Sequence, residues 1–222
     1  ITQLTGILSH DVTLEDGFRV LLIFGVLWWM YGGYVWLANA RTPSRTPERL
    51  LMLVGMAGFL IMGLAIPEAF GRDGVALGIG YLIVVVVHAW LYQRVNRNIA
   101  RIVPFNLSAA ALVLLGGILG GRVQDVLWIA AALLLWITPR FTSTEGFVIA
   151  AEHFVERHGL VVIIALGESV VVVGAGISGD PIGLRLVVVA LLSLALSAAL
   201  WWLYFRDEEA VEEAMVDADD TH

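Results

Sequence analysis

Apolar residues run along this chain in seven blocks, approximately 17–40, 50–70, 75–93, 104–121, 126–139, 160–179 and 184–205, separated by short segments that hold most of the charge. Most blocks approach the ~20 residues that an α-helix needs to cross ~30 Å of hydrocarbon. The fifth is the shortest. None alternates apolar with polar residues in the way a closed β-barrel requires. Prolines punctuate the blocks: Pro43 and Pro47 fall in a loop, Pro67 and Pro139 near block ends, Pro104 at a start and Pro181 in a turn. Trp36, Trp90, Trp128, Trp201 and Trp202 cluster toward block ends, where an amphipathic ring prefers the headgroup level. The pattern predicts an all-α, polytopic transmembrane helix bundle of about seven spans over residues 1–206, followed by a solvated acidic tail over 207–222.

Residues 142–159 follow a different rule. Thr142 and Glu145 form a T-x-x-E capping box. Beyond it Phe147, Val148, Ala151, Phe154 and Val155 fall on one helical face, and Glu145, Glu152 and Glu156 on another. This predicts an interfacial helix lying on the cytoplasmic surface and leading into the sixth span. At the other end, ITQLTGIL reads as the last turns of an earlier helix and SHDVTLED as an outside loop, so the chain is expected to be a fragment at its N-terminus.

Composition agrees with the membrane reading: 59% of residues are hydrophobic and the mean hydropathy is +0.85, far above what a soluble core of this size needs. Lipid bilayer is therefore the first partner. Cysteine is absent, which removes disulfides and thiolate metal sites. The net charge of -7 is concentrated in the tail, DEEAVEEAMVDADDTH, which carries eight acids and no arginine. The rest is nearly neutral and has no basic face for nucleic acid. All thirteen basic residues are arginines, unevenly shared between the two sets of loops. Arg41, Arg45, Arg49, Arg94, Arg97, Arg101, Arg140, Arg157 and Arg206 fall on one side, and Arg19, Arg72, Arg122 and Arg185 on the other. The positive-inside rule makes the richer side cytoplasmic, and with it the C-terminal tail.

Two polar features inside the apolar blocks carry candidate chemistry. ERHGLVVIIALGESVVVVG places Glu168 eight residues after Leu160, about 12 Å into the membrane at ~1.5 Å per residue. His88, in VVVVHAW, lies six residues before Arg94, at about 9 Å by the same rise. A bare carboxylate at such depth costs about 2.5–3.5 kcal/mol on insertion scales, so a bound proton, a cation or a hydrogen-bonding partner is required. Glu168, His88 and Ser169 are thus the candidate proton or ion site, with a structural hydrogen bond between helices as the competing role for the glutamate. Glu68 in AIPEAF reads as interfacial, and Asp73 and Asp125 as loop charges.

Other motifs carry less. LGGILGG pairs Gly116 with Gly120 and Gly117 with Gly121, a small-xxx-small signal for close packing against another helix of this chain or of a second copy in a homo-oligomer. His153, Glu156, Arg157 and His158 lack the paired geometry of a metal centre, so no metal and no cofactor is expected. Gly176-Ile177-Ser178-Gly179 resembles the serine motif of rhomboid intramembrane proteases, but no histidine follows on a later span, and the segment reads as a helix end running into a Gly-Asp-Pro turn. No catalytic set emerges, and no enzyme activity is expected.

HFVERHGLVVIIALGESVV resembles the signature of the bacterial low temperature requirement protein A (LtrA) family. WWMYGGYVWLANA before an arginine-rich loop, RLLMLVGMAGFLIMGLAIPEAFG, and ALWWLYF before a charged stretch are similar to it as well, so the resemblance covers nearly the whole chain. It implies a polytopic α-helical protein of the bacterial inner membrane, linked by the family's name to growth in the cold. The motif positions that match are His153, Glu156, Arg157, Gly159, Leu160, Gly167, Glu168 and Ser169. Family members usually begin with a helix carrying F-F-D-L-V-F and continue past the acidic segment, and this chain has neither. The family brings no established reaction. Two functions are expected in turn: movement or binding of a proton, cation or small solute at a polar site around Glu168, or a non-transporting membrane scaffold or cold-adaptation factor acting through cytoplasmic partners.

Overall fold

The computed structural model describes residues 2–7, 13–40, 45–142, 151–176 and 183–205. Its elements are a short α1 (Thr2–Ile7) and the long helices α2 (Leu14–Ala40), α3 (Thr46–Ala65), α4 (Gly74–Gln93), α5 (Val103–Leu119), α6 (Gly121–Ile137), α7 (Ala151–Gly176) and α8 (Leu184–Phe205). No strand occurs among the described residues. Five helical stretches, Leu14–Ala40, Thr46–Glu68, Gly74–Gln93, Gly121–Arg140 and Leu186–Phe205, are long and apolar enough to cross a membrane, and Val103–Leu119 is a shorter apolar helix. The architecture is an all-α membrane helix bundle. The chain divides into two compact units, one over Gln3–Val148 and one formed mainly by Ile149–His222.

In the first unit α4 is the central helix, packed against α2, α3 and α5, while α6 bridges α5 and α2. Glycines let these helices approach closely. A Cβ at Gly80 would stand 2.8 Å from the Gly58 carbonyl oxygen, and one at Gly78 would stand 2.6 Å from Leu114 Cα. One at Gly117 would collide with the Gly74 backbone. With little hydrophobic drive between helices in lipid, such backbone proximity and its dispersion contacts hold the bundle. Met30, Met62, Tyr81, Val84, Val85, Ala109, Ala110, Ala131 and Leu135 form its fully covered interior.

Polar side chains tie the same helices together. Gln124 Nε2 donates to the Ala69 carbonyl at 2.7 Å, Trp128 Nε1 to the Val113 carbonyl at 2.9 Å, and Trp29 Nε1 to Asn106 Oδ1 at 2.9 Å. At one end Arg19 contacts Glu15 at 2.7 Å and Asp125 at 3.8 Å, and lies 4.8 Å from the centre of the Phe70 ring. That cluster joins the start of α2, the 3₁₀ turn after α3 and the start of α6. Successive helices run antiparallel, so Arg72 and Arg122 share this end, and Arg45, Arg49, Arg94, Arg97, Arg101 and Arg140 occupy the other. The Arg94 guanidinium there lies 3.4 Å from the centre of the Trp90 ring.

Three expected features are placed differently. The fifth apolar block, expected from 126, begins as a helix at Gly121, because Gln124 is turned inward onto Ala69 and Asp125 onto Arg19. Asp125 is thus an ion-paired residue at the start of the second turn of α6, not a loop charge. Gly120 and Gly121 do not pack: nothing would meet a Cβ on either, and their φ values of 67° and 55° put them in the left-handed region. Glycine takes that conformation without a steric penalty, and the pair turns the chain from α5 into α6. Only Gly116, against Trp128, and Gly117, against Gly74, make the close contacts expected of all four.

The second unit pairs α7 with α8. The expected boundary between a surface helix and the sixth span is absent from the described residues, since α7 is helical without a break from Ala151 to Gly176. At ~1.5 Å per residue a helix of 26 residues is about 39 Å long, more than the ~30 Å of hydrocarbon. Glu156 and Arg157, in its second turn, are exposed. Glu145, Phe147 and Val148, which carry much of the amphipathic pattern, lie outside the described residues, as do the side chains of Glu152, His153 and Phe154, the Ser178 motif and the acidic tail.

Candidate functional site

Glu168 lies on α7 and is half-buried. Exposure around that helix divides into two halves. Val155, His158, Gly159, Val161, Val162, Ala165 and Leu166 form the covered half. Leu160, Ile163, Ile164, Val170 and Val171 form the other, with Ile164 at 66% and Val171 at 68% exposure. At 100° per residue Glu168 falls on the border between them, beside Val161 and Ala165 on one hand and Ile164 and Val171 on the other. A carboxylate on such a border can reach either protein or the solvent or lipid that meets the open side. Gly167 precedes it with no atom within 4 Å of where its Cβ would be, so the backbone next to the carboxyl is open as well. Ser169 follows in the same helix, and its side chain lies outside the described residues. Glu156, Arg157, His158, Gly159 and Leu160 occupy the earlier turns, with Gly159 alone buried.

His88 belongs to the other unit, on α4, and is 2% exposed. Its Nε2 lies 2.9 Å from the Gly33 carbonyl oxygen of α2. A carbonyl oxygen only accepts, so Nε2 carries the hydrogen of this bond and the neutral ring presents Nδ1 as an acceptor. Aromatic rings surround the imidazole: Tyr34 at 5.4 Å, and Tyr92 at 5.4 Å in an edge-on arrangement. Tyr34 is itself anchored by donating to the Val84 carbonyl at 3.1 Å and packs edge-on against Phe59 at 5.5 Å. Gly33 leaves room for this contact, since a Cβ there would stand 3.1 Å from Nε2.

The expected pair of Glu168 and His88 is thus distributed over two units, each described within itself. His88 has a defined partner that sequence reasoning missed, the main chain of α2. Tyr34, Tyr81, Asn106 and Gln124 are further buried or half-buried polar groups that it passed over. The signal was present for Asn106, a lone amide in PFNLSAA. It was absent for the tyrosines, which look like ordinary apolar-block residues. No cluster of three or more His, Cys, Asp or Glu suited to a metal occurs among the described residues. Glu68 is exposed in the turn after α3.

Comparison with known proteins places the chain. An uncharacterized protein of Rhizobium meliloti (strain 1021) is 26% identical over 238 residues, covering all of this chain and 58% of that protein. The chain therefore spans a little over half the length of this curated relative. No solved structure matches. The model of the family described as bacterial low temperature requirement A protein (LtrA) matches residues 1–222, and with Glu168 set in the apolar α7 helix, the chain belongs to that family of membrane proteins.

Proposed function

We propose that the protein binds and moves a proton or a small cation through the bacterial inner membrane, with the Glu168 carboxyl as the binding group and the arginine-rich end of the helices in the cytoplasm. The reading is carried by one observation: a carboxyl in the apolar stretch of α7, about 12 Å beyond Leu160, half-buried, on the border between the covered and open faces of the helix. Acids within apolar spans are rare and mark ion pathways and proton relays, where a proton or cation is taken up. A border position serves this role better than an interior one, because the ligand has to arrive from outside the packed face and leave again. Ser169 is the adjacent hydroxyl of the motif, and His88 is a second protonable group within the membrane, held by its own unit. The role is non-enzymatic.

Flux tests the proposal. The protein reconstituted into liposomes should carry protons or monovalent cations down an imposed gradient, read by an internal pH or ion indicator, and Glu168→Gln should abolish the signal. Equal flux from the two proteins removes the proposal and leaves the glutamate a structural role in a membrane scaffold.

A further inference from the structure

Three side-chain polar atoms are buried without a hydrogen-bond partner among the described residues: Arg19 Nε, which faces Asp125 Oδ1 at 3.8 Å, and, on α4, the Tyr81 hydroxyl and His88 Nδ1. Tyr81 is 0% exposed and His88 2%. Both residues are on α4, seven positions apart, which is two helical turns and places them on one face about 10 Å apart along the axis. The positions between them on that face are not vacant of structure: Val84 and Val85 are fully covered, and the Val84 carbonyl accepts the Tyr34 hydroxyl at 3.1 Å. The tyrosine and the histidine therefore do not meet, and each has to be satisfied where it stands.

Their needs are defined. Nε2 of His88 donates to Gly33, so the neutral ring needs a donor at Nδ1. Tyr81 has one hydrogen to give and lone pairs to fill. A phenylalanine would supply the same packing at 81 without the desolvation of a hydroxyl, and in a membrane no bulk water reaches the interior to offset that loss. Buried polar groups in this situation are met by internal water, which both donates and accepts.

We propose that Tyr81 and His88 each hold internal water on this face of α4, the Tyr81 hydroxyl donating to one molecule and another donating to His88 Nδ1. The water at His88 donates to Nδ1 and so completes the hydrogen bonding of the neutral ring whose Nε2 donates to Gly33. The site belongs to a unit other than that of Glu168 and does not rest on the reading of the glutamate.

Water-edited solid-state NMR of the protein in bilayers, with labelled histidine and tyrosine, reads the proposal directly. Magnetisation should pass from water to the His88 and Tyr81 rings, assigned by their loss in His88→Gln and Tyr81→Phe proteins. The Tyr81→Phe protein should also melt roughly 2–4 °C lower, because a satisfied hydroxyl is lost. Glu168→Gln should leave both transfers intact. Absence of transfer to either ring, or a Tyr81→Phe protein as stable as the parent or more so, overturns the proposal, since removal of an unsolvated hydroxyl relieves a penalty.

Discussion

His88 Nε2 donates to the Gly33 carbonyl at 2.9 Å, and a Cβ on Gly33 would stand 3.1 Å from the same nitrogen, so the glycine and the imidazole are fitted to each other across the α2–α4 contact. Gly33 lies inside α2, where its carbonyl also takes the helical bond from four residues on. Loss of the imidazole therefore leaves no orphaned acceptor. His88→Phe should cost about 1 kcal/mol, the net worth of one hydrogen bond. Gly33→Ala should cost about 1–3 kcal/mol by pushing the ring away. Unfolding in detergent, followed by tryptophan fluorescence, measures both; a Gly33→Ala protein as stable as the parent would mean that α2 and α4 do not approach closely enough for the 2.9 Å contact.

Glycine substitutions should sort by mechanism. Gly117→Ala drives a methyl group into the Gly74 backbone, which cannot yield as a side chain does, and should cost about 1–3 kcal/mol or more, as overpacked cores do. Gly120→Ala touches nothing, yet its φ of 67° and ψ of -178° fall in a region that is essentially glycine-only, at a cost of about 1–3 kcal/mol. Gly63→Ala in α3 has neither problem and should be neutral or stabilising by about 0.5–1 kcal/mol. Thermal unfolding of the three proteins should rank Gly63→Ala above both others.

That sorting also shows where the sequence is readable. The requirement for ~20 apolar residues writes spans into the chain plainly, and five of the seven expected blocks coincide with helices to within about five residues. Of the other two, α7 begins nine residues before its expected block, and α6 begins five residues early because Gln124 and Asp125 are polar in composition but satisfied by tertiary partners, Ala69 and Arg19. LGGILGG is symmetric as a string, and only the backbone angles separate the two glycines that pack from the two that turn. Glu168 was legible because a carboxyl in an apolar block is chemically anomalous. The Gly33 partner of His88 was not, since a main-chain carbonyl leaves no mark in the sequence.

The antiparallel order of α2 to α6 separates the two ends of the first unit, and the proposed orientation puts the arginine-rich end in the cytoplasm. Cysteine placed at Ala100, exposed in the 3₁₀ turn between α4 and α5, should be labelled by an impermeant reagent from the cytoplasm only. Cysteine at Gly71, in the turn after α3, should be labelled only from outside. Labelling of positions 71 and 100 from the same side would break the helix count between them, while both positions reversing together would invert the orientation and spare the fold.

Glu168 carries the last prediction, and its position on α7 decides what to expect from each replacement. Glutamine keeps the length and the hydrogen-bonding capacity of a protonated carboxyl but cannot release a proton or balance a cation. Glu168→Gln should therefore insert and fold as the parent does, with melting within about 1 kcal/mol of it, while the flux falls to the level of protein-free liposomes. Aspartate keeps the charge on a side chain one methylene shorter, so Glu168→Asp should retain flux at a reduced rate if the carboxyl itself is the binding group. Alanine removes both properties and, at a half-buried border position, leaves little cavity to destabilise the helix. The pattern to look for is full flux in the parent, partial in the aspartate protein, and none in the glutamine and alanine proteins at comparable stability. Flux that survives in Glu168→Gln, or stability that collapses in it while an aspartate restores the fold alone, would assign the carboxyl to helix packing and remove it from any path through the membrane.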